Sequence, residues 1–347
     1  MVAINKILII RFSSIGDILL SSPLIRILRE KFPNAEIDYL TKSDYADLVK
    51  FNPNITSVIE LRTDLKDELR KLKEQIRNSE YDVILDIHNS LRSRYIRFLS
   101  GAKYKGVVNK RILKRFLLVT FKWNFYKDII SVADRYIEAA RELSIENDGR
   151  GLEIFVPEEN VLTVNAMLDK YKLNRYNVVI GIAPCAKHFT KCWLQNRFIE
   201  LGWKLTKLYG TKILIFGSKN EQDYCNDVAQ MINVKASASV AESLAGKLTL
   251  LETAAALDHC SLVITNDSGI MHLAAARKKK IIAVFGSTVK EFGFYPYGTD
   301  YIIVEAANVK CRPCSHIGLA ECPKKHFRCM NEVQVEDVLN NVKRFFN

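Results

Sequence analysis

Thr265-Asn266-Asp267-Ser268-Gly269-Ile270-Met271-His272 is the stretch on which the fold turns. It follows the apolar run 261–264 and leads into Leu273-Ala274-Ala275-Ala276, so the pattern predicts strand, tight turn and helix. A helix that starts directly from such a turn presents several backbone N–H groups at the positive end of its dipole, where a phosphate or diphosphate is stabilised. Asp267, Ser268, Gly269 and His272 are therefore candidate anion-site residues. His272 lies three residues past Gly269, so both can face one ligand. The same residues also suit an ordinary strand-to-helix connection capped by Asn, Asp and Ser.

A second opening of this kind stands at the start of the chain. Lys6-Ile-Leu-Ile-Ile-Arg-Phe12 reads as a parallel strand buried on both faces, and Ser13-Ser14-Ile15-Gly16-Asp17 turns from it into a helix. Here the turn carries its own carboxylate, and the helix dipole stabilises the ionised form of Asp17. A carboxylate kept ionised at the carboxyl end of a first strand is a candidate general base, although a capping role alone also fits.

Between and after these openings the pattern alternates. Strands are predicted at 36–40, 57–61, 81–87 and 103–108, with helices at 65–76 and 91–99. A helix over 132–143, the polar, Gly-containing segment 144–151 and a connecting strand at 152–156 follow. A helix at 158–171 and a strand at 177–183 then restart the alternation. Helices near 197–209, to about 231 and over 250–257 accompany strands at 212–216, 262–265 and 281–285. Such βα alternation implies mostly parallel sheets. The expected class is α/β, with two doubly wound, Rossmann-like domains, 1–155 and 156–347, facing a cleft. Length agrees, because 347 residues exceed the usual size of a single core.

Open α/β sheets place ligands at the carboxyl ends of their strands. His88 follows the run 81–87 at such an end, where it can line an acceptor site or be a plain loop residue. In the second half, Lys187 and Lys191 in Pro184-Cys-Ala-Lys-His-Phe-Thr-Lys-Cys-Trp193 can neutralise a diphosphate. In Gly217-Ser218-Lys219-Asn220-Glu221, Ser218 allows close approach and Glu221 can accept from hydroxyls. With the Asp267 to His272 turn these make three loops at strand ends of one domain, which point to a nucleotide or nucleotide-sugar donor. Neither G-x-G-x-x-G nor G-x-x-x-x-G-K-[ST] occurs in them, which argues against nicotinamide dehydrogenases and P-loop enzymes.

Composition sets the remaining bounds. The chain is 48% hydrophobic and 26% charged, with a formal net charge of +12 that suits an anionic partner. The charge is concentrated: from 92 to 127 there are eleven basic residues, among them Arg92, Arg94 and Arg115, and no acidic one. Phe116, Phe121, Trp123 and Phe125 are interleaved with them, a mixture suited to a membrane surface or an anionic amphiphile, or to a solvated basic face over a buried apolar one. The apolar run after Lys6 stops at Arg11, unlike a secretory signal, so a cytoplasmic location is expected. Of eight cysteines, Cys311, Cys314, Cys322 and Cys329 cluster around His326. They supply enough ligands for a structural zinc site, or else form a packed thiol cluster, and no catalytic metal is expected.

Arg11-Phe-Ser-Ser-Ile-Gly-Asp-Ile-Leu-Leu-Ser-Ser-Pro23 together with Thr265-Asn-Asp-Ser-Gly-Ile-Met-His-Leu-Ala-Ala-Ala276 resembles the lipopolysaccharide heptosyltransferases, glycosyltransferase family 9. The resemblance extends over nearly the whole chain, through Lys191-Cys-Trp193, Phe216-Gly-Ser218 with Glu221, and the C-terminal Cys and His elements. It implies a GT-B fold and inverting, metal-independent transfer with no cofactor. The donor it implies is ADP-heptose (ADP-L-glycero-D-manno-heptose), bound by the C-terminal domain. The acceptor is the anionic inner core, Kdo or heptose, of a lipid A-linked lipopolysaccharide, bound by the N-terminal one.

By matching position, Asp17 would be the base, and Lys191 would bind donor phosphate and stabilise departing ADP. Asp267, Ser268, Gly269 and His272 would hold the donor. Ser14 and Gly16 beside the base, with His88, Arg92, Arg94 and Arg115, form the expected acceptor set. Where some members of the family carry hydroxyl residues this chain has Ala186 and Lys187, and Lys187 can substitute electrostatically. The enzyme is then expected at the cytoplasmic face of the inner membrane, in peripheral contact with it. A different nucleotide-sugar transferase of surface glycan synthesis keeps the fold and changes the substrate. A basic nucleic-acid-binding protein with a zinc module is disfavoured, because no nucleic-acid module is recognisable and the basic stretch is mixed with bulky apolar residues.

Overall fold

In the computed structural model, which describes residues 4–62, 67–98 and 100–346, the short apolar runs form two all-parallel sheets. The first contains β1 (Lys6–Ile10), β2 (Glu36–Lys42), β3 (Ser57–Leu61), β4 (Val83–Asp86) and β5 (Tyr104–Val107), in the order β3-β2-β1-β4-β5. The second contains β6 (Val179–Ala183), β7 (Lys212–Ile215), β8 (Ala241–Ser243), β9 (Leu262–Asn266), β10 (Lys280–Phe285) and β11 (Tyr301–Glu305), in the order β11-β10-β9-β6-β7-β8. The central strands are buried throughout, which is why they read as continuous apolar runs instead of alternating ones.

These orders explain where a ligand can go. In the first sheet the chain runs outward one way through β2 and β3, then returns past β1 to β4 and β5. In the second it runs outward through β7 and β8 and returns past β6 to β9. Adjacent strands at each reversal have connections that leave in opposite directions, which opens a crevice at their carboxyl ends. Ile10 pairs with Asp86 across the first reversal, and Ala183 pairs with Thr265 across the second. The Asp17 turn and His88 follow the first pair of strands; the Lys191 loop and the Asp267 turn follow the second.

Helices connect the strands. The C-terminal helix Val335–Phe346 buries Val335, Val338, Leu339 and Val342, the one-face spacing of an amphipathic helix. Its Phe346 ring lies 5.8 Å from that of Tyr209, the last residue of helix Gln195–Tyr209. This helix, together with β8, β11 and helix Ile112–Phe121, was not anticipated from sequence. The predicted strand at 152–156 is absent: the Glu153 N–H donates to Ser22 Oγ (3.0 Å) and the Glu153 carboxylate accepts from Arg26, so the segment is held by side chains and not by a ladder. The helix predicted at 65–76 is Glu68–Asn78, and residues 65 and 66 lie outside the described residues. The helix predicted at 91–99 is Leu91–Arg97, and Leu99 lies outside them too.

The chain divides into two compact units, Met1–Ile112 with Ile130–Phe155, and Leu113–Ile129 with Val156–Asn347. The short excursion 113–129 is tied to the second unit by Lys122 Nζ, which donates to Pro313 O (2.7 Å), and by Asn124 Nδ2, which donates to Glu291 Oε1 (3.2 Å).

Candidate active site

In the first unit the site is built around Asp17. Helix Ile15–Leu19 begins with a capping box, in which Ser14 N and Ser14 Oγ both donate to Asp17 Oδ2 at 3.2 and 2.8 Å. The other oxygen meets the Arg11 guanidinium at 2.6 Å and accepts from Tyr136 Oη at 3.2 Å. Arg11 is itself fixed, donating to Ser13 O (2.7 Å) and Ile87 O (2.8 Å), with its guanidinium 5.7 Å from the Tyr136 ring. Burial by itself would raise the pKa of Asp17; the Arg11 charge and the Ser14 hydrogen bonds overcome it and hold the carboxyl below its ordinary value. The result is a fixed, ionised carboxylate with side-chain exposure of 14%.

His88 sits beside this group. Its ring is 4.7 Å from that of Phe12, and its Nδ1 is a buried atom with no hydrogen-bond partner among the described residues. Burial and then the Arg11 charge push its pKa down to about 3, so it is a neutral imidazole at physiological pH. Behind it, Asp86 Oδ1 accepts from the Asn89 N–H at 2.6 Å, and its other oxygen, Oδ2, lies 3.3 Å from Arg97 Nε in an ion pair, which fixes the turn. Arg94 Nε donates to Asn89 Oδ1 (3.0 Å), while Arg92 is exposed on the same helix. Gly16 is buried and Ser14 exposed. Ser14, Gly16, His88, Arg92 and Arg94 thus all follow β1 or β4. Arg115 does not; it lies on helix Ile112–Phe121, within the excursion to the second unit.

The second unit centres on an ion pair. Lys191 Nζ lies 2.7 Å from Asp267 Oδ2, which also accepts from Thr288 Oγ1 at 2.7 Å. The two charged side chains are 15% and 7% exposed. Asn266 locks the two loops together: its Oδ1 accepts from the Trp193 N–H (3.0 Å) and its Nδ2 donates to Pro184 O (2.7 Å). Ser268, at the start of helix Gly269–Ala276, shares a hydrogen bond with Thr265 Oγ1 (3.2 Å) and does not cap the helix with its hydroxyl. The helix-start donors therefore point toward the same end of the sheet as the ammonium of Lys191. His272 is buried, its ring edge-on to Phe294 at 6.3 Å.

Ser218 and Glu221 form a second capping box, with Ser218 N and Oγ donating to Glu221 Oε2 at 2.7 and 2.8 Å. Burial pushes the Cys192 thiol up, and the Glu221 carboxylate adds to the effect. Lys187 is exposed on the Lys191 loop.

Four residues that complete these groups were missed from sequence. Arg11 and Thr288 had a signal, since each stands just past the carboxyl end of a buried strand. Tyr136 had none, because its helix looks like any other amphipathic segment. Gly318 also had none. It has φ +101°, and a Cβ there would lie 2.6 Å from His188 Cβ and 2.9 Å from Lys191 Cδ. Gly318 thus covers the stem of Lys191. Substituting Gly318→Ala should lower stability by about 2 kcal/mol through backbone strain and crowding, measured by thermal unfolding, and it should weaken nucleotide binding in parallel. An unchanged Tm and nucleotide affinity would show that this segment does not position the lysine.

The C-terminal thiols are close but not organised as a cage. Cys311 Sγ is 3.8 Å from His326 Nε2, and Cys314 Sγ donates to Cys311 O at 3.6 Å. Burial raises the pKa of Cys314 and takes that of Cys329 to about 11. No group of three or more His, Cys, Asp or Glu side chains among the described residues is arranged to hold a metal ion.

The family model of glycosyltransferase family 9 (heptosyltransferase) matches residues 69–325. The chain is 26% identical over 334 residues to lipooligosaccharide heptosyltransferase 2 of Campylobacter jejuni, covering 95% of this chain and 94% of that protein. Among solved structures, a family 9 glycosyl transferase from Veillonella parvula superposes with a TM-score of 0.78 at 21% identity, covering 98% of this chain and 97% of that one. An Escherichia coli ADP-heptose LPS heptosyltransferase II does so with a TM-score of 0.72 at 21% identity, with 98% of each chain covered. The architecture is that of the GT-B heptosyltransferases, with two parallel sheets each at the heart of an α/β unit. The chain belongs to glycosyltransferase family 9, the heptosyltransferase family, and is a glycosyltransferase.

Proposed function

We propose that the enzyme transfers heptose from ADP-heptose to the inner core, Kdo or heptose, of a lipid A-linked lipopolysaccharide acceptor, with inversion and without a metal. The observation that carries this reading is the Lys191, Asp267 and Thr288 group beside a helix start at the reversal of the second sheet. A leaving nucleoside diphosphate gains negative charge as the glycosidic bond breaks, and a fixed cation with backbone donors stabilises that change without reorganising. Asp267 positions the lysine, and Lys187 adds charge at the rim. Ser218 and Glu221 face the nucleoside, while Ser268, Gly269 and His272 shape the diphosphate turn. The names of the curated relatives and of the E. coli structure support the choice of donor and acceptor class.

Asp17 then takes the proton of the acceptor hydroxyl. The bond from the anomeric carbon to diphosphate oxygen breaks, the bond to the acceptor oxygen forms, and the proton passes to the carboxylate. Neutral His88 offers its imidazole to acceptor hydroxyls, while Ser14, Gly16, Arg92, Arg94 and Arg115 serve the anionic sugars and phosphates. An acceptor anchored in lipid puts the enzyme at the cytoplasmic face of the inner membrane. No helix among the described residues is long and apolar enough to cross one. Purified enzyme should release ADP from ADP-heptose only when a core acceptor with a free hydroxyl is added. Release should continue at an unchanged rate in excess chelator, with metal content of the Cys311 to Cys329 cluster assayed in the same preparation. Release with UDP- or GDP-sugars alone would overturn the donor assignment, and loss of the rate on chelation would overturn the metal-independent step.

A further inference from the structure

Helix Ile112–Phe121 presents its apolar side to solvent. Leu118 is the single buried residue of its ten, whereas Ile112, Leu113, Phe116 and Phe121 are 58, 69, 53 and 50% exposed. At about 100° per residue, Ile112, Leu113, Phe116 and Phe121 fall on one half of the helix, opposite Leu118 and Arg115. The chain continues outward through Trp123 (58% exposed) and Phe125 (53%). The rings form a continuous surface, with Phe121 stacked on Trp123 at 5.1 Å and Phe116 edge-on to Phe121 at 6.1 Å. Single exposed apolar side chains are ordinary, but a contiguous cluster of aromatic rings marks an interaction surface. Polar groups hold the segment to its unit, through Lys122 on Pro313 O and Asn124 on Glu291, and the rings are left outward.

Charge identifies the occupant. Lys110, Arg111, Lys114, Arg115, Lys122 and Lys127 lie along the same segment, and the first acidic residue is Asp128. A second copy of this chain packed by twofold symmetry would set these cations against their own equivalents. Anionic headgroups would neutralise them while the rings entered the acyl boundary, as in interfacial helices that lie in the plane of a membrane. The geometry points to residues 112–125 as a monotopic membrane anchor, in which Phe116, Phe121, Trp123 and Phe125 insert into an anionic phospholipid surface. The inference rests on the proposed function only in that a lipid-borne acceptor gives such an anchor its use.

Vesicles of phosphatidylglycerol and phosphatidylethanolamine should bind the full-length enzyme, and pure phosphatidylcholine vesicles should bind it far less. Brominated lipids should quench part of its tryptophan emission, and Trp123→Phe should remove that quenched component, since Trp193 is only 1% exposed and Trp203 lies on helix Gln195–Tyr209 and not on the inserting segment. The double variant Phe116→Ser with Trp123→Ser should keep the wild-type Tm and lose about tenfold or more in affinity for anionic vesicles. Its transfer to a deacylated, water-soluble acceptor should stay at the wild-type rate. Equal vesicle binding by variant and wild type would overturn the insertion, as would no binding by either. So would concentration-dependent dimerisation abolished by the variant with no vesicle binding, because the surface would then be a contact between copies. Transfer to the deacylated acceptor tests the proposed function separately: its success without vesicle binding defeats the anchor alone, and vesicle binding without transfer defeats the enzymatic reading alone.

Discussion

Replacing Asp17 by asparagine should lower kcat by about 10³-fold and leave the affinity for ADP-heptose unchanged. Asparagine keeps the volume and can keep the contact with Tyr136, but it cannot take a proton. Turnover within a few-fold of wild type would remove Asp17 from the base role. The depressed pKa bears on how such a base works. A carboxylate stabilised by Arg11 is a weak base toward an ordinary alcohol. The acceptor hydroxyl, however, becomes acidic once its oxygen begins to bond to an oxocarbenium-like carbon, so late proton transfer needs little basicity. The acid side of the rate profile should accordingly be flat through neutral pH and fall only below about pH 4. Stability follows the same sign. Because the folded-state pKa lies below the unfolded one, the Asp17 and Arg11 pair contributes stability above the ordinary carboxylate range, and that contribution is lost as pH falls through the depressed value. Wild type should therefore lose more stability than Asp17→Asn on acidification below about pH 4, read from denaturant midpoints.

Lys191→Ala should weaken ADP-heptose binding and slow transfer, with a combined loss of about 10²- to 10³-fold in kcat/KM. Calorimetry with ADP alone separates the two parts, since the lysine meets charge in the ground state and more of it in the transition state. The free enzyme should also become less stable by about 1–3 kcal/mol, because among the described residues Asp267 would keep the hydroxyl of Thr288 but no cation in a nearly buried position. Asp267→Asn should restore part of that stability in the double variant without restoring transfer. Donor affinity and rate unchanged in Lys191→Ala would exclude the lysine from the diphosphate site.

The parallel sheets were legible because their central strands are buried on both faces and thus written as uninterrupted Ile, Leu and Val runs. Strands β8 and β11 lack that signature: β8 has three residues and β11 is half exposed, so neither presents a run to read. Site residues just past strand ends were readable for the same reason as the sheets, since the topology fixes that end as the ligand side. Their partners were not. Tyr136 reaches Asp17 across 119 positions of sequence. Gly318 meets the Lys191 stem only because the C-terminal segment folds back over that loop, and nothing local to either residue records it. Helix Ile112–Phe121 shows a different limit. Its apolar periodicity is ordinary, and sequence periodicity does not state whether the apolar stripe turns inward or outward.

The excursion at 113–129 also bears on the order of assembly during synthesis. The chain leaves its first unit unfinished, emits an apolar aromatic segment, and returns to supply Tyr136 to the Asp17 group. The residues that secure that segment, Glu291 and Pro313, are synthesised 167 and 191 residues after Asn124 and Lys122, the side chains they meet. Until those residues are made, these two contacts are absent, and the aromatic segment is open to chaperones, to aggregation or to early capture by a membrane.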